Sequence, residues 1–197
     1  GARGSRGPAR GRGFLRMGRA GGAAGRAARV LSFPPQVGAG CRVLVLGTAP
    51  SLRSLELRQS YAHPQNLFWP FMGELFDAGP PLPYAERIAR LHRHGIGIWD
   101  VLASCERPGS LDSSIRADSE VANDIPALLD RHPTIAALAV NGAKALQVFR
   151  RRIEPAIAPA RRADLEVLSL PSTSPANASM PRHEKLARWR AIVAHVA

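Results

Sequence analysis

Arg42-Val43-Leu44-Val45-Leu46-Gly47 is a short, unbroken apolar run ending in glycine, the pattern of a strand buried on both faces. Residues 48–64 read as a long loop, followed by a helix from about Leu67 to Phe76. Pro80-Pro81-Leu82-Pro83 forces a break, and a second helix runs from about Tyr84 to His94. Ile96 to Val101 reads as another strand running into a loop, and Val121 to Arg131 as a helix that ends before Pro133. Thr134 to Val140 is a strand feeding directly into a helix from Gly142 to about Ile153, and Leu165 to Leu170 is a fourth strand. A last helix covers Pro181 to about His195. Strands alternating with helices predict an α/β fold of three layers, α/β/α, around a short, mainly parallel four-stranded sheet. Ligands of such sheets sit outside the carboxyl ends of the strands. The segments Gly47–Pro50, Trp99–Asp112, Asn141–Lys144 and Pro171–Ser179 should therefore meet the loop carrying Tyr61 and Asn66 around one cleft.

The 197 residues suffice for one domain with a full core. The net charge of +12 is unevenly spread: residues 1–40 hold eight arginines, no acidic residue and 11 of the 18 glycines, which leaves +4 for residues 41–197. Such a segment buries too little apolar surface to repay its ordering entropy, so residues 1–40 are read as a disordered basic tail and 41–197 as the domain. An arm of this kind attracts phosphate backbones without reading sequence. A targeting peptide, sequence upstream of a start at Met17, or a passive tail fits the same composition. No run of about 18 apolar residues exists, so no membrane span is expected. Two cysteines, Cys41 and Cys105, are too few for a disulfide scaffold or a four-cysteine metal site. That leaves a reducing, intracellular setting as the default: cytoplasmic, and close to the nucleoid in a bacterium. No metal and no cofactor is implied, and a monomer is expected.

Tyr61-Ala62-His63-Pro64-Gln65-Asn66-Leu67-Phe68-Trp69 is the most specific stretch. Phe68 and Trp69 suit a core, whereas Tyr61 and Asn66 are harder to explain as packing; a helix N-cap is the plain alternative for Asn66. His63, before a proline, suits holding the loop by a hydrogen bond better than catalysis. Gly47-Thr48-Ala49-Pro50-Ser51 is weak alone, and lacks the glycine and lysine spacing of a phosphate-binding loop.

Gly-X-X-Pro after a buried first strand, then aromatic-Ala-His-Pro-X-Asn-X-Phe-Trp, resembles the first motif of the uracil-DNA glycosylase superfamily. Leu170-Pro171-Ser172-Thr173-Ser174-Pro175-Ala176-Asn177 stands where the second motif lies and is similar to the hypoxanthine (deoxyinosine) branch. Trp99-Asp100-Val101-Leu102, the run from Ser104-Cys105 to Asp112-Ser113, and Asn141-Gly142-X-Lys144-Ala145 extend the resemblance over about Arg42 to Trp189. In the mismatch-specific branch the third residue of Gly-X-X-Pro is a water-positioning asparagine, and the uracil-specific branch has an aspartate in the equivalent loop. Here it is Ala49, which can neither orient nor activate water. The hypoxanthine branch lacks that residue too, and asparagines matching Asn66 and Asn141 take over.

The resemblance implies DNA, double- or single-stranded, containing a deaminated base that is flipped into a pocket. Tyr61 would stack on the base, with Thr48, Ala49 and Gly142 lining its site. Asn66 and Asn141 would be catalytic, orienting water or stabilising the departing base; the N-cap of the following helix is the alternative for Asn141. Backbone N–H groups at Gly142 and Ala143 would face the base carbonyl. Ser172, Ser174, Ala176 and Asn177 would approach the duplex, with Lys144, Arg182 and Lys185 as phosphate partners; the two serines would alternatively only shape their turn. No lysine sits where a Schiff-base nucleophile would, so a monofunctional enzyme leaving an abasic site is expected. Competing readings are a uracil or mismatch-specific glycosylase, a nucleic-acid-binding relative that lost the chemistry, and an unrelated α/β enzyme acting on a small nucleotide.

Overall fold

The computed structural model describes residues 29–196. In chain order the elements are β1 (Arg29–Leu31), β2 (Val43–Gly47), α1 (Leu52–Leu57), α2 (Phe68–Phe76), α3 (Tyr84–Arg93), β3 (Ile96–Asp100), β4 (Leu102–Glu106), β5 (Val121–Ala122), α4 (Ile125–Arg131), β6 (Ala137–Asn141), α5 (Ala143–Val148), α6 (Pro159–Ala163), β7 (Glu166–Leu170) and α7 (Arg182–Trp189). All five residues of β2 are buried, and each fully buried Val or Leu contributes about 1.5–3 kcal/mol over an exposed one. β2 lies inside a four-stranded, wholly parallel sheet of order β3-β2-β6-β7.

Side-chain alternation divides the core between the two faces. Leu44, Leu46, Leu138 and Val140 pack with Leu128 and Leu129 of α4 and Val148 of α5. Val43, Val45, Ile96 and Ile98 pack with Phe68, Phe71 and Met72 of α2, Leu91 of α3 and Trp189 of α7. This is the expected three-layer arrangement. The register sets Gly47 opposite Asp100, Leu46 opposite Val140 and Asn141 opposite Leu170, so the four carboxyl ends finish level and form one rim.

Four local features differ from the sequence reading. Residues 29–40, assigned there to the tail, belong to the fold: β1 pairs with β4 in a second, antiparallel sheet of order β1-β4-β5. Val30 is 2% exposed and the Arg29 guanidinium donates to Ser104 Oγ at 2.7 Å. Gln36 exchanges both backbone hydrogen bonds with Ile98, covering the outer edge of β3. The rest of the basic tail, residues 1–28, lies outside the described residues. Second, the chain continues past Val101 into β4 instead of entering a loop. Third, α1 forms within the segment read as loop, its start capped by Ser51, whose hydroxyl accepts from Ser54 N–H at 3.1 Å. Fourth, α4 begins at Ile125 rather than Val121, because Asp124 caps Ala127 N–H, Pro126 sits in the first turn, and Val121–Ala122 is used as β5. Cys41 and Cys105 are both free and buried. Among the described residues no helix is long and apolar enough to cross a membrane.

Candidate active site

A cavity of about 280 Å³ opens at the rim formed by the strand ends. The two loops of greatest interest are stitched together across it: Leu67 N–H donates to Thr173 O at 3.0 Å. The residues expected to be catalytic, to line the base site or to approach the duplex all line this cavity, as does Lys144, whereas Arg182 and Lys185 do not; their side chains are engaged in ways the sequence did not reveal.

Tyr61 has φ +58°, the left-handed region that a bulky residue rarely enters. Its ring stacks on Phe68 at 4.0 Å between centroids with 25° between planes, and Phe68 in turn meets Trp69 and Trp189 edge-on. One face of the tyrosine is therefore fixed by the core. Among the described residues its buried hydroxyl has no well-formed hydrogen bond, although the Asn141 amide lies close enough to act on it. Burial, and then the carboxyl of Asp100, push that hydroxyl far above the ordinary phenol range. A β-carbon at Gly47 would stand 2.7 Å from Asp100 Oδ1 and 2.9 Å from Tyr61 Oη, so glycine is what lets these two groups approach the end of β2.

Leu67, not Asn66, occupies the cap position of α2, and Asn66 braces the helix start from one residue earlier, its Oδ1 accepting from Phe68 N–H at 2.9 Å. With that oxygen committed to the helix, what the side chain offers a substrate is its Nδ2 donor. His63 holds the loop, its Nδ1 accepting from Gln65 N–H at 3.2 Å. Asn141 does not cap the helix that follows it; Gly142 occupies the cap position. Asn141 instead clips the last loop in place, Nδ2 donating to Thr173 Oγ1 at 2.9 Å and Oδ1 accepting from Thr173 N–H at 3.0 Å, all of it buried. Gly142 adopts φ +97°, and a β-carbon there would meet Ser172 Cβ at 2.9 Å. Its N–H is already given to Leu170 O at 2.9 Å, so of the two backbone donors expected to face the base only Ala143 N–H remains.

The loop after β7 is built from its own hydroxyls. Ser172 Oγ accepts from Ser174 N–H and Ser174 Oγ from Ala176 N–H, so both serines shape the turn while keeping their O–H free to donate. Ala176 is exposed at the tip, and Asn177 Oδ1 accepts from Ser179 Oγ at 3.0 Å. The three cations expected to face phosphate all have internal partners. Lys185 is 2% exposed and bonds the carbonyls of Ser172 and Asn177, Arg182 pairs with Glu74, and Lys144 meets Glu120 at 2.6 Å. They stabilise the rim; only Lys144 also lines the cavity.

Two carboxyls in the cavity were not singled out. Asp100, at the end of β3, is enclosed; burial raises it to about 7 against the opposing hydrogen bond from Ser32 Oγ at 3.2 Å. Asp112 stands at the mouth, its side chain 43% exposed. Its Oδ2 accepts from Thr48 Oγ1 at 2.7 Å, and its Oδ1 lies 3.9 Å from the buried guanidinium of Arg107. Arg107 also donates to the carbonyls of Pro50 and Gly109, tying the loop after β2 to the one after β4. Partial burial raises Asp112 above the usual carboxylate range, while Thr48, Arg107 and Lys144 pull it down.

The sequence model of the uracil DNA glycosylase superfamily matches residues 34–194. The chain belongs to the uracil DNA glycosylase superfamily. It is 31% identical over 164 residues to a protein from Methanosarcina acetivorans named hypoxanthine DNA glycosylase, with 83% of this chain and 97% of that one covered. A Methanosarcina barkeri protein of the same name is 34% identical over 113 residues, 57% of this chain and 70% of that one. A solution NMR structure from Methanosarcina acetivorans, described as a candidate uracil DNA glycosylase, superposes with a TM-score of 0.70 at 27% identity over 86% of this chain and 99% of that one.

Membership places the chain among DNA glycosylases, and its cavity departs from the bare motif reading in two respects. The amides of Asn66 and Asn141 are structural clamps as well as candidates for chemistry. The carboxyl groups of the cavity lie elsewhere, at Asp100 and Asp112. A charged residue ending an apolar strand was the available signal for Asp100. Asp112 gave none, since its partner Thr48 lies 64 residues away.

Proposed function

We propose that this glycosylase removes hypoxanthine from deoxyinosine in DNA by hydrolysis, leaving free base and an abasic site. The observation that carries this reading is Ala49: the loop after β2 brings only the hydroxyls of Thr48 and Ser51 to the cavity and no carboxylate or amide, while Asn66 and Asn141 converge on it from two other elements. The names of the two Methanosarcina relatives support the same base.

The target nucleotide would leave the stack and enter the cavity. Tyr61, held by Phe68 behind it, presents an aromatic surface worth roughly 1–3 kcal/mol in stacking. Asn66 Nδ2 donates to the base, where negative charge develops as the bond to the sugar breaks, and such preorganised donors act most strongly out of bulk water. Asn141, fixed by Thr173, keeps the neighbouring wall rigid and directs its remaining amide hydrogen toward Tyr61. Ala176 and Asn177, at the tip of the last loop, face the duplex. No lysine amine is available as a nucleophile, because Lys144 and Lys185 are both engaged; the product is an intact abasic site rather than a nicked strand.

A panel of oligonucleotides bearing one deoxyinosine, uracil, xanthine or mismatched thymine, followed by alkaline cleavage at abasic sites, tests the assignment. Deoxyinosine should be cut fastest. Cleavage at uracil with none at deoxyinosine rejects it.

A further inference from the structure

Ala49 leaves hydrolysis without a base for water, and Asn66, whose Oδ1 already accepts from Phe68 N–H, carries an amide that cannot take up the water's proton. The cavity does contain a carboxylate suited to the task, Asp112, bonded to Thr48, the residue before Ala49. We propose that Asp112 supplies what Ala49 lacks, holding the attacking water at the cavity mouth and accepting its proton. This rests on the glycosylase reading above and assigns the step which that reading leaves without a residue.

Three observations carry it. Asp112 is anchored but not used up: Thr48 Oγ1 occupies Oδ2 at 2.7 Å, while the 3.9 Å from Oδ1 to Arg107 is too long for a direct hydrogen bond, so Oδ1 keeps a lone pair for water. Arg107 is a fully buried cation that needs an anion beside it, and Asp112 is the carboxylate within ion-pair distance. Finally, burial raises the cavity's other carboxyl, Asp100, to about 7, whereas at Asp112 the Thr48 hydrogen bond, Arg107 and Lys144 oppose the rise. Two carboxyls in such different environments is an arrangement that acid–base chemistry uses. The titratable and charged groups that bear on Asp112 are Arg107 from the loop after β4, Lys144 from α5, Asp100 from β3 and the Tyr61 hydroxyl.

The step balances without a co-reactant. The bond between the sugar C1′ and N9 of the base breaks, its electron pair leaving with the purine. Water oxygen bonds to C1′, one water proton passes to Asp112, and that proton then neutralises the departing purine anion, restoring the carboxylate.

Asp112→Asn keeps an oxygen acceptor for Thr48 but removes the base together with the anion beside Arg107, so Tm is measured alongside the rate, and Thr48→Val, which leaves that anion in place, is the second variant. Single-turnover excision should fall by about 10²-fold or more, with the Kd for the same duplex changed less than about threefold. In the parent, the rate should decline on the acid side as Asp112 protonates, and Asp112→Asn should abolish that limb. Thr48→Val removes a hydrogen bond that favours the charged form, so its acid limb should move to higher pH. Parental rate and an unchanged acid limb in Asp112→Asn overturn the proposal while leaving the hypoxanthine reading intact. If the parent excises uracil instead, that reading falls, and the same two variants decide the role of Asp112 on uracil.

Discussion

Thr173 is fully buried and makes three hydrogen bonds that join three elements. Thr173→Val keeps volume and the backbone bonds but deletes Oγ1, leaving Asn141 Nδ2 without its acceptor in a buried site. Leaving one buried donor unpaired costs about 1–3 kcal/mol. In a domain of this size each kcal/mol moves the midpoint by roughly 2–4 °C, so Tm should fall by about 2–12 °C. Asn141, no longer clamped, should also lose its fixed orientation toward Tyr61, lowering the excision rate more than DNA binding. Calorimetry and single-turnover kinetics on the same preparations measure both effects. Thr173→Ser restores the hydroxyl and should recover most of the loss. A valine variant with parental Tm and rate would refute the clamp, and with it the argument that Asn141 is positioned from the last loop.

Asp100 predicts a pH dependence of stability. Its folded pKa, about 7, lies above the 3.8 of a free aspartate, so the folded state binds the proton more tightly. The parent therefore loses stability as pH rises from 3.8 through about 7. Asp100→Asn should gain Tm relative to the parent between pH 5 and pH 8, and a constant difference contradicts the burial argument. Separately, deleting residues 1–28, which carry seven arginines, should reduce the salt slope of DNA binding by up to about 6 and leave single-turnover excision intact. Deleting residues 1–40 removes β1 and the cover on β3 as well, so it should lower Tm; equal Tm for the two truncations contradicts the fold assignment of residues 29–40.

The sheet was legible because β2, β3 and β6 are runs of apolar residues and β7 carries Val167, Leu168 and Leu170 between turn signals, and the strand-end rule then located the cleft. β1 was hidden inside Arg/Gly-rich composition, where only Val30 is buried. β4, Leu-Ala-Ser-Cys-Glu, mixes small and polar residues because its pairing partners are short strands from distant parts of the chain. α1 is too short, at six residues, to show a helical period. At the site, motif positions identified which residues face the cavity but not what their polar atoms do. The Asn66 oxygen, the Asn141 amide and the Lys185 ammonium all bond protein partners, and Thr173, Arg107, Asp100 and Asp112 act through contacts as far apart in sequence as Leu67 and Thr173, 106 residues. Such pairings are set by the register of the sheet and by loop packing, which local composition does not encode.

The account rests on Asn66 acting through its Nδ2 donor, and Asn66→Asp isolates that atom. The aspartate keeps an acceptor for Phe68 N–H, so the start of α2 should remain braced and Tm should stay near that of the parent, whereas Asn66→Ala, without that brace, should lose about 1 kcal/mol. Single-turnover excision of hypoxanthine from a deoxyinosine duplex should fall by about 10²–10³-fold in both variants, with duplex binding retained. Parental excision by Asn66→Asp would contradict the central claim.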